Sequence, residues 1–462
     1  MLIRRARVFG TSFTDVRFDG GRITECGIGL RPLPNEDDID ARGCWLLPGL
    51  HDHHVHLRSL AATSGSVRVG PAHVSTLAGL TARLFSADSE LPAGVWIRGV
   101  DYHESVAGSL DRRALDRIVD SRPVRIQHRS GALWMLNSAA CTAVDLDECR
   151  LPGVERDAAA RPTGRLWRLD GWLGTRTDSA PVDLTDLSTR AARLGITGFT
   201  DATPAMGHPD IDDFAESVAA GRIRQRLHCM APPGITDPGT ARFSLGPTKI
   251  LLDDTTLPEL DDFIDRIRAV HAAGRPIAVH CVTRVQLALT IAALDSAGVR
   301  RGDRIEHGAL IPVNAMAWLR EHHVPVITQP HFPVERAEQY RREVPHEDQP
   351  DLWRLGSLMR AGVPVAASTD APFGTPNPWS AIRAAVHRMP WGAGELENIP
   401  LSRALSLFFG APEQPDRPRR IVPGEVADLT LLGVPPEDLR AGSPTPAVTA
   451  TIVDGKPVHL MN

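Results

Sequence analysis

Apolar residues along the chain gather into short runs of strand character, separated by longer stretches of helical spacing. Eight runs can be placed, at 45–57, 196–202, 225–231, 247–253, 276–282, 304–310, 324–330 and 364–370. Amphipathic segments lie between most of them, for example 257–274 and 313–323. The second follows Pro312 and sets apolar residues at helical intervals. Alternating strands and helices predict a parallel sheet, and eight such units predict an α/β fold of the (β/α)8 TIM-like barrel type. The alternative is an open doubly wound sheet, but no G-x-G-x-x-G or Walker loop supports a nucleotide-binding version.

The two ends read differently. Short strands with turn signals fill the N-terminus, where an Asp-Gly-Gly turn sits at 19–21. They fill the C-terminus too, with an Asp-Gly turn at 454–455. A small β-sandwich domain built from both termini, 1–48 and 415–462, is therefore expected around a barrel spanning 49–414. Residues 60–185 break the alternation and are too long for a simple connection after the first strand. They hold four of the nine tryptophans, Trp96, Trp134, Trp167 and Trp172, and are expected to form an inserted subdomain. The polar stretch 332–352 reads as a loop or lid.

Composition narrows the function. The chain has 462 residues and a formal net charge of -5, without a long basic run. Nucleic acid and anionic membrane are not expected partners. No signal-peptide core and no uninterrupted apolar stretch of spanning length is present, so no membrane association and a cytoplasmic location are expected. The six cysteines are scattered and make no CxxC pair, as suits a reducing compartment. Of the 51 basic residues only two, Lys249 and Lys456, are lysine. Lys456 lies in a C-terminal turn. Lys249 lies inside an apolar run, where a free charge is costly. In a chain that uses arginine nearly everywhere else, a lysine kept there suggests chemistry that arginine cannot perform.

The chemistry-bearing residues cluster at the ends of these runs. His54 and His56 close the first run two residues apart, so in a strand they face one side and can grip one metal, with Asp52 supporting from the same face. The spacing alone decides little, since 18 histidines give roughly 0.7 such pairs by chance. Position decides more. His280, His307 and Asp370 also stand at C-terminal strand ends, where active sites of barrels are built. Imidazole and carboxylate ligands suit zinc, with manganese, iron or nickel as alternatives. A buried lysine has a lowered pKa, and its neutral amine can react with carbon dioxide. The carbamate on Lys249 would offer two oxygens to a pair of metals. The alternative is a lysine reaching out from a strand edge. His331, after the seventh run, and Arg98, Tyr102 and His103, in the insert, are weaker candidates for substrate contact. His51 and His53 face away from the ligand pair and are expected to be structural. Glu306 precedes a ligand and is expected to stand behind the ligand shell.

Together these residues resemble the amidohydrolase superfamily, whose pattern is His-x-His on the first strand, Lys on the fourth, His on the fifth and sixth, and Asp on the eighth. Here the matches are His54 and His56, Lys249, His280, His307 and Asp370. Within it the chain is similar to the branch of N-substituted formamide deformylases. That likeness rests on Trp96-Ile97-Arg98-Gly99 with Tyr102-His103, on Ser130-Gly131-Ala132-Leu133-Trp134-Met135-Leu136-Asn137-Ser138, and on Ser368-Thr369-Asp370-Ala371-Pro372. The resemblance implies two divalent metal ions. His54, His56 and Asp370 would hold one, His280 and His307 the other, and carboxylated Lys249 would bridge them. It implies attack of a metal-bridged hydroxide on the carbonyl of a small amide, an N-formyl or N-acyl amine, with Asp370 moving the proton. A deaminase or cyclic-amide hydrolase on the same fold is the alternative, and a non-catalytic scaffold a further one. A homodimer is a possible assembly.

Overall fold

The computed structural model describes residues 1–8, 13–177, 182–388, 394–439 and 444–461. The chain divides into two compact units, Met1–Leu57 with Leu184–Asn462, and Arg58–Asp183.

In the first unit nine parallel strand segments succeed one another. They are β1 (Leu50–Val55), β2 (Ile196–Asp201), β3 (Arg226–Met230), β4 (Phe243–Gly246), β5 (Thr248–Ile250), β6 (Ile277–Cys281), β7 (Arg304–His307), β8 (Val326–Thr328) and β9 (Val365–Ala367). β1 to β4 pair in chain order as one sheet, and β5 to β9 as another. The two sheets meet at Pro247, which lacks the N–H a ladder needs. On one side β4 pairs with β3; on the other β5 pairs with β6. The run read at 247–253 is thus the second half of a bent strand. Its first half, Phe-Ser-Leu-Gly, is too short and mixed to stand out in the sequence. Helices separate most of the strands, and the arrangement is TIM-barrel-like. Helix Leu260–Ala272, for instance, buries Phe263, Ile264, Ile267 and Val270 at spacings of one, three and three, one helical stripe.

The run read at 45–57 is two strands. Trp45–Pro48 pairs antiparallel with Leu429–Leu432 in a sheet drawn from both termini, and only after Gly49 does the chain enter β1. Glycine is required at that junction, because a Cβ there would stand 2.2 Å from the Thr197 Cγ2. The terminal sheet runs in the order Lys456–Leu460, Val448–Val453, Leu429–Leu432, Trp45–Pro48, Leu2–Val8, Phe13–Asp19, Arg22–Gly27, with Asp38–Asp40 alongside Leu2–Val8.

The stretch 332–352 contains two short helices, Phe332–Glu335 and Ala337–Glu343, rather than open loop. Its far end is held by Arg284, which donates to Asp348 and Asp351 at 2.6 Å each. Residues 58–183 form their own unit, with a six-stranded sheet and a core that includes Ile97, Tyr102, Val124, Ile126 and Leu133. No helix among the described residues is long and apolar enough to cross a membrane.

One buried carboxylate ties the terminal sheet to the strands of the site. Asp428, 2% exposed, accepts from Arg226 on β3 at 2.7 Å, from Arg419 at 3.3 Å and from the Asp454 backbone at 2.8 Å. Arg419 also donates to the Gly49 carbonyl at 2.6 Å, just before β1. Removing one partner of a buried ion pair leaves the other charge uncompensated. Asp428→Ala is therefore expected to cost about 3–5 kcal/mol of stability, read from urea unfolding curves; an unshifted midpoint would show that this link does not hold the fold.

Candidate metal centre

The site begins with how strand ends aim side chains. His54 lies in β1 and His56 just beyond it. Their ligand atoms and that of Asp370 lie within 4.8 Å of one another. His54 Nε2 is 3.6 Å and His56 Nε2 3.4 Å from Asp370 Oδ1. Asp370 follows β9 and is 6% exposed, and its Oδ1 has no hydrogen-bond partner among the described residues. Burial alone would raise the Asp370 carboxyl. The facing imidazoles of His56, His307 and His54 more than offset this and hold it below the usual carboxylate range.

Lys249 comes from β5 and is 9% exposed, so it does not reach out to solvent. Its Nζ stands 3.5 Å from His54 Nε2. Burial lowers its pKa to about 8. His307, at the end of β7, places its ring 4.8 Å from that of His54 and 4.6 Å from that of His280 on β6. Its Nδ1 is 3.8 Å from Asp370 Oδ2. All six residues singled out in the sequence thus meet within one neighbourhood of the first unit.

Two of them get there against strand periodicity. Successive strand residues point to opposite faces, yet Glu306 and His307 both reach the surroundings of His54. His307 has φ of +68°, which swings its side chain back. Asp370 has φ of +52°, and in the same way Thr369 and Asp370 both address β1. Left-handed backbone at a residue with a Cβ costs roughly 1–2 kcal/mol, a strain that surrounding structure must hold in place.

The imidazoles are held from behind. His54 Nδ1 bonds a carboxylate oxygen of Glu306, whose other oxygen accepts from buried Arg304. His56 Nδ1 is 3.5 Å from Thr203 Oγ1. His307 Nδ1 is 2.9 Å from Gln329 Oε1. With Nδ1 donating to the Glu306 carboxylate and to Gln329 Oε1, the rings of His54 and His307 keep a lone pair on Nε2, as metal-ligating histidines do. Donor chemistry, the uncommitted Asp370 oxygen and this outer shell all fit a divalent cation. Glu306 therefore stands behind the ligand shell, as expected, and the ring it backs is that of His54. Thr203 and Gln329 were not singled out in the sequence: a Thr after Asp-Ala and a Gln before Pro carry no signal until the fold brings them behind a ring. Asp52 accepts from the Thr369 backbone at 2.9 Å and from its hydroxyl, so it supports the site by fixing the segment that carries Asp370. Burial pushes its carboxyl up to about 7.

Of the remaining candidates, His331 and His53 have neither ring nitrogen hydrogen-bonded among the described residues, and the others bond to neighbouring groups. His331 is 2% exposed and packs its ring against Phe332, with room beside it only because residue 374 is glycine. His51 bonds Thr200 Oγ1 at 2.9 Å, and His53 stacks at 4.6 Å on His51. In the second unit Tyr102 is fully buried and gives its hydroxyl to the Gly108 carbonyl. Arg98 donates to Ser66 Oγ at 2.7 Å and lies 5.5 Å from the Trp134 ring centre. His103, Glu104 and His128 bring ligand atoms within 4.8 Å of one another. However, His103 Nδ1 accepts from the Ser105 backbone and His128 Nδ1 from the Ser130 backbone, each at 3.1 Å. The proton then sits on Nε2, and His128 passes it toward Glu104 at 3.0 Å. That hydrogen bond holds Glu104 down at about 2. Neither ring offers a free Nε2 lone pair, so this trio reads as a capped helix start rather than a metal site.

The chain is 24% identical over 514 residues to an N-substituted formamide deformylase of Arthrobacter pascens, covering 95% of this chain and 94% of that one. It is 21% identical to the putative amidohydrolase YtcJ of Bacillus subtilis (strain 168), covering 87% and 86%. Its fold is similar to that of a crystal structure of an uncharacterized metal-dependent hydrolase from Pyrococcus furiosus, with a TM-score of 0.71 at 19% identity, covering 94% and 99%. The sequence profile of the amidohydrolase family matches residues 37–459. With the match running through nearly the whole chain, and every strand end that carries a site residue inside it, the chain belongs to the amidohydrolase family.

Proposed function

We propose that the chain is a metal-dependent hydrolase that cleaves the carbon–nitrogen bond of a small non-peptide amide, with N-formyl and N-acyl amines as its substrate class. The observation that carries this reading is the buried Asp370 carboxylate, whose Oδ1 lacks a hydrogen-bond partner among the described residues and faces two imidazoles steered from behind. His54, His56 and Asp370 would hold one divalent ion, zinc by ligand type, and His280 and His307 a second. Lys249 would join them as a carbamate. Its buried Nζ, 3.5 Å from a ligand imidazole, supports that role. When bound, such ions supply Lewis acidity toward a carbonyl oxygen and lower the pKa of water.

The side chains of the chain do the rest. Asp370, held ionised, would receive the proton of the attacking water at Oδ2, the oxygen not turned to His54 and His56, and deliver it to the nitrogen that leaves. Glu306 and Gln329, each offering an acceptor to Nδ1, would keep His54 and His307 in the ligating tautomer. Buried Arg304 balances the charge of Glu306. A one-metal deaminase would leave Lys249 without a task. Formamides are favoured among amides by the likeness to the deformylase over nearly the full length of both chains.

Purified protein supplied with zinc is expected to carry two ions per chain by elemental analysis. Lys249→Ala is expected to hold fewer than two and to lose turnover; two ions with full activity in that variant would remove the carbamate bridge. Asp370→Asn is expected to lower kcat by about 10²–10⁴-fold, the usual weight of a positioned proton-transfer group, measured under saturating substrate. Assay against N-formyl amines, N-acyl amino acids, carbamates and cyclic ureides should find the first two cleaved. Turnover confined to cyclic ureides would replace the linear-amide assignment.

A further inference from the structure

The three engaged imidazoles are not held alike. His54 leans on a carboxylate, Glu306, itself paired with Arg304. His307 leans on a neutral amide, Gln329, which is fully buried. An amide, unlike a carboxylate, has a donor end as well as an acceptor end. Turned over, its NH2 group would press on Nδ1 and drive the imidazole proton to Nε2, leaving Nε2 without the lone pair a metal ligand needs. Something must therefore fix which end Gln329 presents. Its Nε2 is 2.8 Å from Ser368 Oγ and 3.5 Å from the Ile327 carbonyl oxygen. The carbonyl can only accept, so the flipped amide would set two acceptors against each other. Ser368 is buried too, and its backbone N–H is bonded to the Thr328 carbonyl at 3.0 Å, which fixes its place beside β8.

We propose that Gln329, oriented by the Ile327 carbonyl together with Ser368, is a positioning residue that selects the Nδ1–H tautomer of His307, and that its neutral acceptor makes the ion held by His307 the more loosely bound of the two. The tautomer half stands on the hydrogen bonds alone; the affinity half rests on the proposed two-ion site. A charged acceptor behind an imidazole raises its basicity more than a neutral one does. His54 thus has the stronger backing, and His307 the weaker. Ser368 is two residues from Asp370, so one short segment orients Gln329 and also supplies a ligand for the other ion.

The test uses full-length protein with 15N-labelled histidine. In metal-free wild type, long-range 1H–15N spectra should show His307, assigned by its loss in His307→Ala, with its proton on Nδ1. Gln329→Met, which keeps the volume and removes the acceptor, should lose that tautomer preference. It should also weaken one of two zinc ions by about 10–100-fold in chelator competition, with the other ion unchanged. Gln329→Glu restores an acceptor and should tighten that same ion relative to wild type. Ser368→Ala, a milder change, should shift the tautomer ratio in the same direction as Gln329→Met. A wild-type His307 carrying its proton on Nε2, or a Gln329→Met protein with wild-type tautomer and zinc affinities, overturns the proposal. If wild type shows the Nδ1–H tautomer but binds no zinc, the hydrolase reading and the affinity half both fail, while tautomer selection by Gln329 stands.

Discussion

Asp370 faces the histidines of β1 because the exit of β9 is clasped to that strand, and the site depends on this clasp. Backbone bonds run both ways: Asp370 N–H to the His54 carbonyl and His56 N–H to the Ala371 carbonyl, each at 2.9 Å. The Asp52 carboxylate binds the backbone and hydroxyl of Thr369 in the same place. Residues more than 300 positions apart are thereby held in hydrogen-bond register. Without the register Asp370 is one more acid after an apolar strand. With it, a buried carboxylate meets two imidazoles.

The low dielectric of the interior governs how the groups around this clasp are paired. A buried polar group left unpaired is costly, and a network with every member satisfied is rigid. Around this site the outer members are nearly all matched, Glu306 with Arg304, Asp52 with Thr369, Gln329 with Ser368. The inner ones are not: Asp370 Oδ1 has no partner among the described residues, and Lys249 stands against an imidazole rather than an acid. A matched shell around an unmatched centre is how a fold reserves space for a ligand that supplies the missing charge. The left-handed backbone at His307 and Asp370 belongs to the same design, since strain of roughly 1–2 kcal/mol per residue is held where side chains must leave strand periodicity.

Much of this was legible in the sequence for a specific reason. Apolar runs ending in His or Asp report where buried strands reach the polar end of a sheet, and the isolated Lys249 reports a buried amine. The six residues His54, His56, Lys249, His280, His307 and Asp370 could be named on those grounds. The bend at Pro247 was not legible, because Phe243–Gly246 is short and carries only two apolar side chains. The division of 45–57 into two strands was not legible either, since apolar character runs across Gly49 without a break. Nor were the roles of Gln329, Thr203 and Thr369. Each is an ordinary polar residue whose partner lies far off in the chain.

The sequence by itself determined the kinds of group available and the strand ends that carry them, because burial and residue chemistry are local properties written in the order of residues. Only the tertiary structure decided which nitrogen of each imidazole faces inward, which carboxylate backs which ring, and that Asp52 serves Thr369 rather than a histidine. Those choices depend on hydrogen-bond directions between segments far apart along the chain, and such directions exist only once the strands have met.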